Sequence, residues 1–179
     1  MALDWSEQSP HIRTLYRPWQ LGDGYEEGDV ATAEARCGVR LPATLQRFYA
    51  TWGQRHDRTH LQEHLLAPDK WGVHSGALIF CVENQGVTYW AVQLDALAQT
   101  DPPLVIAEAG PEKALHAVTA ELVWHPSHQH VSDFLDDLTY LHAFAGGARH
   151  GAESPRVKPD PRSLARLERD WSATGARRG

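Results

Sequence analysis

Leu78-Ile-Phe-Cys-Val-Glu-Asn-Gln-Gly-Val-Thr-Tyr-Trp-Ala-Val92 is an apolar run, a polar tetrad and a second apolar run. It reads as a β-hairpin, with Leu78 to Val82 leading in and Val87 to Val92 returning. Glu83-Asn84-Gln85-Gly86 is the connection. Gly86 accepts a positive φ without steric cost, and Asn84 can fix the turn by a side-chain bond to nearby backbone. Simple alternation places Leu78, Phe80, Val82, Val87, Tyr89 and Ala91 on one face, against helices.

Helices are expected on both sides. Glu26 to Cys37 has acids in its first turn and Gly38 as a stop. Leu41-Pro42 opens a second helix, in which Leu41, Leu45, Phe48, Tyr49 and Trp52 form one apolar face before Gly53. Gln54 to Glu63 is polar and His-rich, so it reads as a loop or short exposed helix. Leu65 to Ala67 reads as a short strand. Asp95 to Asp101 is a connection or helical turn, and Pro103 to Ala107 a further strand. Ala120 to Trp124 reads as an edge strand or extended segment. Ser132 is an N-cap candidate for a helix carrying Leu135, Leu138, Leu141, His142 and Phe144, stopped by Gly146-Gly147. Leu164, Leu167 and Trp171 suggest a short last helix.

The resulting expectation is an α+β fold, with a central antiparallel or mixed sheet flanked by helices. Residues 1–24 read as an N-terminal arm pinned by Trp5, Tyr16 and Trp19, residues 25–147 as the domain, and residues 148–179 as a mobile basic tail.

Charge divides at the same place. Residues 1–148 hold 9 Lys/Arg against 19 Asp/Glu, and residues 149–179 hold 8 against 4. An acidic body disfavours nucleic acid and suits a basic protein partner through steering. No apolar run reaches the roughly 20 residues needed to span a bilayer. The N-terminus has neither a basic nor an apolar signal region. Cys37 and Cys81 read as free thiols, which fits a cytoplasmic protein.

His60-Leu-Gln-Glu63-His64 matches the inverted zinc-peptidase pattern. On a helix, His56, His60 and His64 would share a face, with Glu63 as base. The segment is short and polar, and eleven His make a chance match unsurprising, so a zinc hydrolase is the remote alternative and no metal or other cofactor is assigned. His125, His128 and His130 read as a solvated loop. No nucleophile elbow and no phosphate-binding glycine loop occurs.

Four elements in order resemble the SUKH superfamily of bacterial immunity proteins and fungal cell-wall-synthesis regulators. They are Ala33 to Val39 before Leu41-Pro42; Leu45 to Tyr49 ending in Gly53; Phe80 through Glu83-Asn84-Gln85-Gly86-Val87 to Trp90; and Asp101-Pro102-Pro103 with Trp124 and the Ser132-Asp133-Phe134-Leu135 helix behind it. The resemblance covers roughly residues 25–145. It implies a non-enzymatic bacterial protein that neutralises a cognate toxin domain, often a nuclease, by protein–protein contact. The alternative it implies is a regulatory interaction module without a toxin. Candidate partner-binding residues are Trp71, Glu83, Gln85, Tyr89, Trp90 and Trp124, with Asn84 and Gly86 structuring the turn.

Overall fold

A computed structural model describes residue 16, residues 19–108 and residues 121–145. The order is α1 (Glu27–Cys37), α2 (Ala43–Trp52), α3 (His56–Thr59), β1 (Glu63–Leu65), β2 (Gly72–His74), β3 (Ala77–Glu83), β4 (Thr88–Gln93), β5 (Pro103–Glu108), β6 (His125–His130) and α4 (Val131–Ala145). The chain is an α+β protein with an antiparallel sheet in the order β1-β3-β4-β5-β6; β2 also pairs with β3, beyond the end of β1.

The decisive hairpin forms as β3 and β4. Gly86 sits at φ +72°, and its N–H donates to Glu83 O at 2.8 Å. Asn84 does not make the expected local bond. Its N–H goes to Gln62 O at 2.7 Å and its Nδ2 to Gln62 Oε1 at 3.4 Å, because the chain entering β1 lies beside the turn and takes the donors.

The expected single buried face is corrected too. Leu78 pairs with Val92 and Ile79 with Ala91, but then Cys81 pairs with Trp90 and Val82 with Tyr89. Phe80 is therefore an extra residue, a β-bulge that reverses the parity of β3. Leu78, Phe80, Cys81, Val92 and Leu104 face the helices and join Val30, Leu45, Phe48, Tyr49, Phe134, Leu135 and Leu138. Val82, Tyr89 and Ala91 turn to the opposite face, with Ala77, Ile79, Val105, Ala107 and Leu122. Both faces of β3 are buried, so its sequence is continuously apolar rather than alternating.

The helices form for readable reasons. Gly38 takes φ +67° and closes α1, with Val39 N–H donating to Glu34 O at 3.0 Å. Glu34 Oε1 then accepts from Leu41 N–H at 2.6 Å and Gln46 Nε2 at 3.2 Å, fixing the corner between α1 and α2. All five apolar positions from Leu41 to Trp52 are buried.

Three elements depart from expectation. β2 precedes β3 through a two-residue turn, Ser75-Gly76, both at positive φ; the type I′ backbone matches the strand twist. The last described strand is His125–His130, Glu121 to Trp124 precedes it outside any strand, and the segment expected as a histidine loop is extended against β5. Ser132 lies inside α4 and is not its cap. Instead Asp101 reaches across: Ser132 N–H donates to Oδ1 at 2.9 Å and Ser132 Oγ–H to Oδ2 at 2.6 Å. His130 Nδ1–H and Val131 N–H bind Asp101 O and Pro102 O at 2.8 and 3.0 Å. A carboxylate from the bend just before β5 thus serves the helix start, which lets α4 follow β6 without a loop.

Of the N-terminal arm, Tyr16 is buried, its hydroxyl donating to Thr139 O at 2.5 Å. Trp19 is half exposed and donates to Thr51 O at 3.1 Å. Trp5, the Gly146-Gly147 stop, the basic tail and the helix proposed around Leu164 to Trp171 lie outside the described residues.

Candidate functional site

The short segment between α2 and β1 was expected to be exposed. α3 forms there, yet Arg55 and Arg58 are each 2 % exposed. The Arg58 guanidinium lies between two rings, 4.1 Å from the Tyr16 centroid and 4.0 Å from that of Trp52. Burial pushes its pKa down to about 10, so it stays charged at neutral pH. Arg55 binds Asp57 Oδ1 through Nε at 2.8 Å and lies 3.5 Å from Asp23 Oδ2. These buried cations hold Tyr16 and Asp23 against the helical layer through cation–π and ionic contacts.

The zinc-pattern residues do not share a helix. His60 follows the last residue of α3, and Glu63 and His64 are in β1, where neighbouring side chains point to opposite faces. His60 pairs with His64 as an isolated bridge. Their rings stack, with His56–His60 centroids 4.5 Å apart and His60–His64 centroids 5.3 Å apart. Glu63 faces elsewhere, its Oε2 lying 3.5 Å from Nε2 of the fully buried His142. Among the described residues, no three His, Cys, Asp or Glu side chains are set to hold a metal ion.

Burial, with His56, His64 and His142 adding like charge, pushes His60 down to about 4 from an ordinary 6.5. Between those values the unfolded chain binds the proton and the folded chain does not, so stability falls with pH across that window. A thermal melt should therefore drop by several degrees from about pH 7 to about pH 4.5, and His60→Gln should flatten the drop. Equal slopes for both proteins would refute this origin.

The six proposed partner-binding residues do not form one patch. Trp71 is 2 % exposed and belongs to the core; its Nε1–H donates to Tyr49 Oη at 2.9 Å and Leu66 O at 3.1 Å. Tyr89 is buried on the sheet face away from the helices. Trp124 is half buried against that same face, its Nε1–H donating to His74 O at 3.2 Å. Glu83, Gln85 and Trp90 remain together at the turn end of the hairpin. Trp90 is half buried on the helix side, its ring 5.5 Å from that of Phe134.

Strand register shows what surrounds Trp90. Leu65, Cys81, Trp90, Ile106 and His125 form one row across five strands. Two residues nearer the turn, on the same face, lie Glu63 opposite Glu83 and Thr88 opposite Glu108. Val82 pairs with Tyr89, so Glu83 continues to Thr88, and three glutamates share one row. Ile106 and Glu108 had no sequence signal as site residues, because only pairing brings them beside Trp90.

The histidines of the supposed loop take structural posts, His130 at the helix corner and His125 at the end of the Trp90 row. Both cysteines are free. Burial, reinforced by Glu63, raises the Cys81 thiol well above its ordinary range and makes it a poor nucleophile. In comparisons with protein-family models, curated proteins and solved structures, nothing matches the chain.

Proposed function

We propose that the protein is a non-enzymatic binding module that neutralises a basic toxin domain by direct contact. The observation that carries this reading is the charge on the surface. The described residues hold six Lys/Arg and sixteen Asp/Glu. Arg55 and Arg58 are withdrawn into the interior, whereas of the acids only Asp23 and Asp137 are buried. Four accessible cations thus stand against fourteen accessible carboxylates. Such a surface repels nucleic acid and speeds capture of a cationic protein. A nuclease domain, cationic so as to bind its own substrate, is the fitting target.

The motif resemblance to SUKH immunity proteins supports the same reading, and several polar groups among the described residues serve the structure. Asp101 holds a helix start, the buried arginines hold Tyr16, and Cys81 is sealed in the sheet. Cytoplasmic action beside the toxin's intracellular target follows from this role.

Co-expression with the product of the neighbouring gene provides the test. Cells producing that toxin should survive when this protein is present and die when it is absent. Unprotected cells with soluble protein present would reject the immunity role. If the neighbouring gene encodes no toxin, a regulatory interaction module becomes the better reading.

A further inference from the structure

We infer that the sheet end bearing Glu63, Glu83, Glu108 and Trp90 is the docking surface, and that its occupant is an arginine-bearing face of the partner protein. The inference rests on the binding role proposed above and names the surface and the chemistry.

Glu63 and Glu83 are direct cross-strand partners. Like charges placed so cost stability. Both Oε2 atoms are buried without a hydrogen-bond partner among the described residues. So is Nε2 of His142, which is aimed at Glu63 from 3.5 Å. The tautomer follows from its other nitrogen. His142 Nδ1 lies 2.9 Å from Arg58 O; a carbonyl only accepts, so Nδ1 carries the hydrogen. In the neutral ring Nε2 is then an acceptor as well. Among the described residues none of these three buried polar atoms has a hydrogen-bond partner, although buried polar atoms normally have one.

The missing donor has a shape. The next row on the same face presents Trp90 and Ile106, both half buried, and exposed Glu108 lies beyond Thr88. A guanidinium fits this arrangement better than an ammonium. It stacks on an indole face and offers several N–H donors in one plane to carboxylates at its edge. Tryptophan and arginine are also the residues most enriched at binding hot spots.

Two measurements test the inference. In the isolated full-length protein, Glu83→Gln removes the repulsion with Glu63 and should melt at or above the wild-type temperature. A clearly lower melt would show that the carboxylate serves the fold and would overturn the inference. A rise in wild-type melting with Zn²⁺ or Mg²⁺ that Glu83→Gln abolishes would assign the row to a metal and equally overturn it.

In titrations with the toxin domain from the neighbouring gene, Glu83→Lys and Glu108→Lys should each weaken binding about tenfold or more. Asp95→Lys, on an exposed turn away from this row, should change it little. If the wild type binds and all three variants bind equally, the surface is wrong while the binding role stands. If the wild type itself does not bind, both fall.

Discussion

Trp71→Ala should destabilise the protein by about 3–5 kcal/mol, read as a lower midpoint in urea unfolding at unchanged slope. The ring is 2 % exposed and meets Tyr49 edge-on, at 4.8 Å between centroids. Its Nε1–H serves both Tyr49 Oη and Leu66 O, and removing it leaves buried acceptors short of a donor. Arg36 Nη2 and Cys37 Sγ also bind Trp71 O, at 3.0 and 3.6 Å, so the end of α1 rests on the same residue. Trp90→Ala should behave differently. Only part of that side chain is buried, so its cost is about 1–2 kcal/mol, and the larger effect should fall on partner binding. Similar unfolding midpoints for the two variants would contradict the placement of Trp71 in the core and Trp90 at its margin.

The second large effect lies far from the hairpin. Asp101→Ala should cost about 2 kcal/mol, because two hydrogen bonds to Ser132 and a favourable charge at a helix N-terminus vanish together. Asp101→Asn keeps an acceptor for Ser132 N–H and loses the charge, so about half the cost should return. Hydrogen exchange checks the mechanism. In Asp101→Ala, amides in the first turn of α4 should exchange faster, whereas those of β3 and β4 should follow only the global stability change. Uniform change across the sheet and helix would mean that Asp101 does not act through the helix start.

Much of the fold was legible because local signals agreed with tertiary packing. Acids in the first turn and a closing glycine identify α1, and a leading proline, an apolar stripe and a closing glycine identify α2. The Glu83 to Gly86 turn between two apolar runs identifies β3 and β4. The bulge at Phe80 was not legible, since alternation assumes a regular pleat and a doubly buried strand shows none. β2 is only three residues long, and its signal was the Ser75-Gly76 turn in front of β3. β6 reads His-Pro-Ser-His-Gln-His, a composition poor in strand formers. Its pairing with β5 and the corner at Asp101 outweigh that propensity.

The site was less legible than the fold, for a related reason. Charge suggests exposure, yet Arg55 and Arg58 are buried by Trp52 from the preceding helix and by Tyr16, a residue far away in the chain. Aromatic residues suggest binding, yet Trp71 and Tyr89 are core on opposite sides of the sheet. Glu108 and Ile106 acquire meaning only once register sets them beside Thr88 and Trp90. The helix assumed for His60, Glu63 and His64 breaks after Thr59, which turns a supposed shared face into a ring stack and a separate Glu63–His142 contact.

The central claim is that an acidic surface captures a basic toxin domain, and titration of the purified pair at several salt concentrations tests it most directly. The account predicts a complex whose association rate falls steeply as salt is raised, with a slower change in dissociation. No complex at low salt, or an association rate indifferent to salt, would contradict it.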